Sequence, residues 1–286
     1  MALPLPEDRP TNAELLTLLA EGELEVVTRV LDSSNAAYIL RVARGGDCVW
    51  AVYKPQSGER PLWDFARGLH ARERAAFLLS EALGWGLVPP TIVRRDGPSG
   101  VGSLQYYIEN DVATHYFTMY RADAATHDSL RALALFDLVA NNADRKSGHV
   151  LLGVDGRVWG IDHGLCFASE YKLRTVIWEW GGEPIPAEII DDVDAFVRAG
   201  LPDPLAELLD PFERDALLTR RVYKPPMPHA QARAIILAER GRRFDPDVVD
   251  SFLACGDEFR AIADRYRDSD EALKANLATV LVKTTD

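Results

Sequence analysis

Asp144 and Asp162 lie within one short stretch of the chain, NNADRKSGHVLLGVDGRVWGIDHGLCF from Asn141 to Phe167, with His149 between them. Two carboxylates and an imidazole gathered at one place suit a divalent cation with a proton acceptor beside it. The intervening residues supply the means of gathering them. A polar turn (144–148), a strand (149–152), a Gly-containing turn (153–156) and a second strand (157–161) read as a β-hairpin by alternation and turn chemistry. Asp144 precedes that hairpin and Asp162 follows it, so the two antiparallel strands return both carboxylates, with His149, to the same end.

A second pair of candidates lies upstream. Lys54 closes the β-rich run CVWAVYKP, and Glu73 opens the periodic stretch ARERAAFLLSEAL, an amphipathic helix over 71–83 that stops at Gly84. In phosphoryl-transfer enzymes a strand lysine bridges the nucleotide phosphates and a helical glutamate holds its ammonium in place. A surface lysine beside a proline and a solvated helix glutamate have the same local pattern, so neither residue decides the matter alone. The turn DSSN (Asp32, Ser33, Ser34, Asn35) occupies the place of a phosphate-covering loop. It lacks G-x-G-x-x-G, although backbone N–H groups of such small residues can cradle an anion.

The elements around these residues follow from their pattern. LEVVTRVL, AAYILRVA and CVWAVYKP, separated by DSSN and RGGD, predict an antiparallel meander, and GPSGVGSLQYYIE predicts a further hairpin-like segment. The first part of the chain is therefore expected to be a sheet with one helix. SLRALALFDLV, 129–139, predicts a helix running into the Asp144 loop. Beyond Phe167 the chain reads as mostly helical, broken at GGEPIP, LPDP and YKPPMP.

Composition narrows the class. The chain has 286 residues, 47% hydrophobic and 27% charged, enough to bury a sizeable core. A net charge of -12 opposes a broad nucleic-acid or anionic-membrane footprint. Cys48, Cys166 and Cys255 are widely spaced and form neither a disulfide framework nor a paired metal motif. With no basic leader and no run approaching about 18 apolar residues, a cytoplasmic location without membrane insertion is expected.

Turn, strand lysine, helix glutamate, QYYIE, helix, DRKSGH, hairpin and IDHG follow the order of working parts in a kinase-like fold. The stretch from Met1 to roughly Leu209 resembles the phosphatidylinositol 3-/4-kinase-related group, in the style of type II phosphatidylinositol 4-kinases and HipA-like kinases, and within it an actinobacterial family. The motifs that carry this are CVWAVYKPQSGERPLWDFARG, RERAAFLLSEALGWGLVPPT, NNADRKSGHVLL and IDHGLCF. The resemblance implies a two-lobed, protein-kinase-like α+β fold: an N-lobe over 1–110, a C-lobe with the catalytic and metal-binding loops over 111–210, and a helical extension over 211–286. It implies that Lys54 contacts the nucleotide phosphates with Glu73 as its partner, and that Ser33, Ser34 and Asn35 cover them. Gln105, Ile108 and Glu109 belong to the strand that meets the adenine. Asp144 matches the aspartate that orients or deprotonates the acceptor, and Asp162 the metal-binding aspartate of a D-F-G-type motif. His149 departs from the family's asparagine at the second metal position. Imidazole suits Mn²⁺ or Zn²⁺, whereas Mg²⁺ prefers oxygen, so the expected cofactors are ATP with Mg²⁺ or Mn²⁺ and the expected metal ligands Asp162 and His149.

Other residues have plainer expectations. His163, at the D-F-G phenylalanine position, should pack or hydrogen-bond, and Cys166 should be a small core residue. Trp178 and Trp180 in VIWEW alternate as half-buried core residues do. Arg145 either holds a phosphate or orients its loop. From Asp215 to Asp268 the chain resembles the end of an HD-GYP cyclic-dinucleotide phosphodiesterase domain, through RRVYKPPMPH and FDPDVVDSFL, with Lys224 at a phosphate-contacting position but without that domain's metal ligands. Val248, Val249, Phe252 and Leu253 recur at helical spacing and should be buried. Truncation after Leu209 is expected to spare nucleotide binding if the extension is an independent cap, and to lower thermal stability if it docks on the lobe. The resulting expectation is ATP-dependent phosphoryl transfer to a protein, lipid or small-molecule acceptor. The alternatives are an inactive nucleotide-binding module and an AMP transferase on the same fold.

Overall fold

The computed structural model describes residues 10–30, 35–65, 67–181 and 183–218, and in the C-terminal part 233, 236–238, 240–241 and 246–256. The chain divides into two compact units, Met1–Tyr223 and Lys224–Asp286.

The first unit begins with a helix, α1 (Asn12–Glu21), which is not among the elements predicted from the sequence. Its signal is a capping box: Glu14 N donates to Thr11 Oγ1 at 3.3 Å, and Thr11 N donates back to Glu14 Oε2 at 2.8 Å. The region therefore carries two helices, and the single-helix expectation is corrected. Five antiparallel strands follow the spatial order β1-β2-β3-β5-β4: β1 (Glu23–Arg29), β2 (Tyr38–Arg44), β3 (Asp47–Pro55), β4 (Thr91–Gly97) and β5 (Gly100–Tyr106). The three strands of the expected meander are in place.

Alternation along β3 gives the sheet its two faces. Ala51 and Tyr53 are buried with Leu19 of α1 and with Leu40, Val42, Ile92 and Leu104 of the sheet. Each such fully buried large apolar side chain stabilises by about 1.5–3 kcal/mol relative to exposure. Val52 and Lys54 turn to the opposite face, where α2 (Leu69–Ala82) lies along β4 and β5. Gly102 of β5 lets the strands close beneath Tyr53: a Cβ there would stand 2.5 Å from the Lys54 carbonyl and 2.6 Å from the Tyr53 ring.

A second core joins Ala75, Ala76, Phe77 and Leu79 of α2 to α3 (Tyr116–Ala122) and α4 (His127–Ala140). The predicted hairpin is present as β6 (Val150–Leu152) paired with β7 (Val158–Gly160), shorter than expected because Ser147–His149 form a 3-10 turn. The same core takes in Phe196 of α5 (Ala187–Ala199), Leu205 of α6 (Asp203–Ala206), Leu209, and Leu217 of α7 (Pro211–Leu218). A boundary at 210/211 therefore falls inside the first unit. Truncation after Leu209 would strip α7 from its core rather than detach an independent cap. Trp180 packs against this core, but Trp178 is 63% exposed, against the expectation that both are half-buried.

In the second unit, α8 (Pro246–Ala254) carries Asp250, which pairs with Arg240 at 2.6 Å. Val249 is buried, Phe252 and Leu253 are half-buried, and Val248 is 64% exposed, so the expectation of four buried positions is corrected at Val248. Lys224 and His229 lie outside the described residues.

Candidate active site

Lys54 leaves the α2-facing side of β3 and meets two carboxylates. Its Nζ donates to Glu73 Oε1 at 2.6 Å and to Asp162 Oδ1 at 2.8 Å. Burial alone would lower the lysine's pKa, but Asp162 first and Glu73 second outweigh it and hold the ammonium charged. Lys54 in turn keeps the Asp162 carboxyl well below the usual carboxylate range. The other Glu73 oxygen accepts the backbone N–H of His163 at 2.9 Å, so one α2 glutamate fixes both the strand lysine and the loop after β7. Gly164 permits this approach, since a Cβ there would stand 3.2 Å from Leu69 Cβ. Asp162 itself sits at φ 62, a left-handed conformation that aspartate tolerates better than most residues.

His149 Nε2 lies 3.2 Å from Asp162 Oδ2, at the start of the hairpin as the spacing predicted. Burial, as the largest effect, lowers the His149 pKa despite Asp162, favouring the neutral ring that can ligate a metal. Asp144 is placed by Asn142, whose Oδ1 accepts the Asp144 N–H at 3.0 Å. Its carboxylate accepts Lys146 Nζ at 2.8 Å, a partner two residues on that the sequence reading did not single out although the DRK spacing displays it.

Arg145, adjacent to Asp144, points the other way. It is fully buried and grips Asp137 of α4 with Nε and Nη2, at 2.8–3.1 Å. It also donates to the carbonyls of His149 and Ile161 and to His163 Nε2. Of the two expectations for Arg145, loop orientation matches the geometry, and no part of its guanidinium is left for a phosphate. Because arginine can only donate, His163 Nε2 must accept, so its proton resides on Nδ1. Burial, and next the Arg145 charge, push this ring's pKa well below its usual value. His163 and Cys166 are both buried, as expected of packing residues.

Lys54, Glu73, Asp144 and Asp162 line one cavity of about 270 Å³, together with Asn35, Glu59, Arg60, His70 and Gly164. Asn35 Oδ1 accepts the Arg60 N–H at 2.9 Å, tying the β1–β2 turn to the loop after β3. Ser33 and Ser34 lie outside the described residues. The adenine-strand candidates stand apart from this cavity, and of the three only Gln105 lies in β5, which ends at Tyr106, before Ile108 and Glu109. Gln105 is buried, with its amide donating to Thr91 Oγ1 at 2.9 Å; Ile108 is buried; Glu109 is exposed, and its carbonyl accepts Val154 N at 2.9 Å. Gln105 pairs with Val52, so it shares the Lys54 face of the sheet, but its amide is committed to Thr91. Among the described residues no group of three or more His, Cys, Asp or Glu side chains could by itself hold a metal ion. Asp162 and His149 form a two-donor set, which fits a cation that takes its remaining ligands from phosphate oxygens and water.

The chain matches no protein-family model. It is 43% identical over 225 residues to protein Rv2133c of Mycobacterium tuberculosis, an alignment covering 67% of this chain and 80% of that protein. The chain belongs to the Rv2133c family. Within this family member, 56% of the chain aligns at 26% identity with phosphatidylinositol 4-kinase gamma 4 of Oryza sativa, spanning 34% of that protein. A further 41% identity over 96 residues links 34% of the chain to 20% of a probable cyclic di-GMP phosphodiesterase of Vibrio cholerae. The chain thus spans only a fifth to a third of these two relatives. Among solved structures, the Golgi casein kinase superposes on 73% of this chain and 73% of its own, with a TM-score of 0.50 and 15% identity. The fold is a two-lobed, protein-kinase-like α+β fold, as expected. Among the described residues no helix is long and apolar enough to cross a membrane.

Proposed function

We propose that this Rv2133c-family member is an ATP-dependent phosphotransferase, related to the phosphatidylinositol 3-/4-kinase group. The observation that carries the reading is the double ion pair of Lys54 with Glu73 and Asp162 in the cavity that also holds Asp144. A charged ammonium fixed by two carboxylates is pre-placed for phosphate oxygens, and its contact with Asp162 is one that an arriving triphosphate can replace. Asn35 and Ala36, just before β2, line the same cavity. In the same reading the N-lobe covers 1–110 and the C-lobe runs from 111 through α7.

In this reading the acceptor hydroxyl attacks the γ-phosphorus, the bond to the ADP oxygen breaks, and the acceptor proton passes to Asp144. Lys146 neutralises part of the Asp144 charge. Asp162 and His149 would hold the divalent cation, which screens the phosphate charge when bound. Glu73 keeps Lys54 in place, and Arg145, through Asp137 and the two loop carbonyls, keeps Asp144 and Asp162 in register.

The test is incubation with γ- or α-labelled ATP in Mg²⁺ or Mn²⁺. Transfer of γ-label alone is expected. Transfer of α-label would assign nucleotidylation instead, and nucleotide binding without either transfer would make the chain a non-catalytic binding module. In the second unit we propose no phosphodiesterase chemistry, because metal-bound hydroxide needs several convergent ligands and His229 is the only histidine between Asp215 and Asp286. Metal-dependent cleavage of cyclic di-GMP by the full chain would overturn this.

A further inference from the structure

Arg72 precedes Glu73 on α2, so the two side chains leave the helix in different directions. Glu73 enters the cleft; Arg72 turns away from it and forms an ion pair with Glu213 of α7. Both members are buried, with side chains 9% and 8% exposed. Glu213 is itself fixed: its Oε2 accepts Asp210 N at 3.0 Å, and its own N–H donates to Asp210 Oδ1 at 2.9 Å. This reciprocal capping box makes the start of α7 a rigid carboxylate mount. The Phe65 ring lies 5.7 Å from the Arg72 guanidinium. Apart from the ion pair, Arg72 Nε is buried and has no hydrogen-bond partner, so Glu213 is the counter-charge on which this cation depends.

We propose that Glu213 is a positioning residue for the phosphate-binding site, acting through Arg72 to hold α2 in the register that joins Glu73 to Lys54 and to the His163 N–H. The inference rests on the phosphotransferase reading only for its consequence in nucleotide binding; the mechanical coupling stands on the geometry alone. α2 is held on both sides. Displacement of the helix away from the cleft would break Lys54–Glu73 and would also draw Arg72 from Glu213, leaving two charges buried and unpaired, which interiors tolerate poorly. Leu205, Leu209 and Leu217 share one core with Ala75, Ala76 and Leu79, so α6 and α7 are packed as the backing of α2 rather than as a peripheral tail.

The experiment uses the full chain with Glu213→Gln and Arg72→Gln, and exposed Phe212→Ala as the control on the same helix. The His163 amide is the direct reporter, because its hydrogen bond is made to Glu73 Oε2. Hydrogen exchange at His163 is expected to rise about tenfold in both Gln variants while protection across α4 stays at wild-type level. ATP affinity is expected to fall about tenfold in parallel, and Glu213→Asp, which keeps the charge, should recover part of both. Unchanged exchange at His163 overturns the proposal, as does an equal rise across α4, which would mean loss of stability without specific positioning. If the wild-type chain binds no nucleotide, the phosphotransferase reading falls, and the His163 amide still decides the coupling.

Discussion

Two ion clusters lie on either side of the Asp144–Arg145 peptide bond, and they differ in how far their charges are satisfied. Around Arg145 and Asp137 the packing is closed: both side chains are 0% exposed, and Asp137 also accepts Asn142 Nδ2 and Thr175 Oγ1. Around Lys54 the packing is open, with Asp162 44% and Asp144 34% exposed. A buried pair with every lone pair and proton used has nothing to offer a ligand and much to lose if broken. A pair held on one side and open on the other can exchange a partner. Charged residues in neighbouring positions, Asp144 and Arg145, thus serve as site in one direction and as scaffold in the other.

The comparison breaks most severely at the closed cluster. Asp137→Ala leaves Arg145 buried without its counter-ion and should lower unfolding free energy by about 3–5 kcal/mol. Denaturant titration checks this, and an unchanged midpoint would deny Arg145 its scaffold role. In the open cluster, Asp144→Asn should preserve the fold and nucleotide affinity while reducing transfer by about 10²–10⁴-fold. Loss of binding in that variant would instead make Asp144 a structural or metal-binding residue.

Smaller effects sharpen the same contrast. Lys54→Ala and Asp162→Ala should each weaken ATP-metal binding by about 1.5–3 kcal/mol, the worth of a hydrogen bond to a charged group. Calorimetry showing wild-type affinity in both would remove the site. The smallest expected change is in metal choice. Wild type should favour Mn²⁺ over Mg²⁺, and His149→Asn should move the preference toward Mg²⁺ by a few-fold, about 1 kcal/mol, because it replaces nitrogen by oxygen. Equal responses to the two metals in both forms would take His149 out of the coordination sphere.

Much of the open cluster was legible because its parts are local. A strand lysine, a helix glutamate and two aspartates around a hairpin are each marked by spacing and turn residues, and antiparallel pairing returns the hairpin ends to one point. The fold class was legible from the order of those parts. α1 lies outside the predicted elements although Thr11-x-x-Glu14 announces its cap, and Lys146 carries no expectation although it stands two residues from Asp144. The expectation for Gln105, Ile108 and Glu109 rests on the family resemblance. Which side chain of a strand is committed to a neighbouring strand, as Gln105 is to Thr91, depends on sheet register and cannot be seen in one segment.

Alternation, caps and turns determined the elements and the identity of the carboxylates that could do chemistry, since those signals act over a few residues. The tertiary structure alone decided the direction of Arg145, the second ion pair of Lys54 with Asp162, and the place of α7. Each of these joins residues far apart in the chain: Arg72 finds Glu213, and Lys54 finds Asp162, only when the core has closed. Burial then sets the outcome, because a charge removed from water must take whichever partner the packing brings within reach.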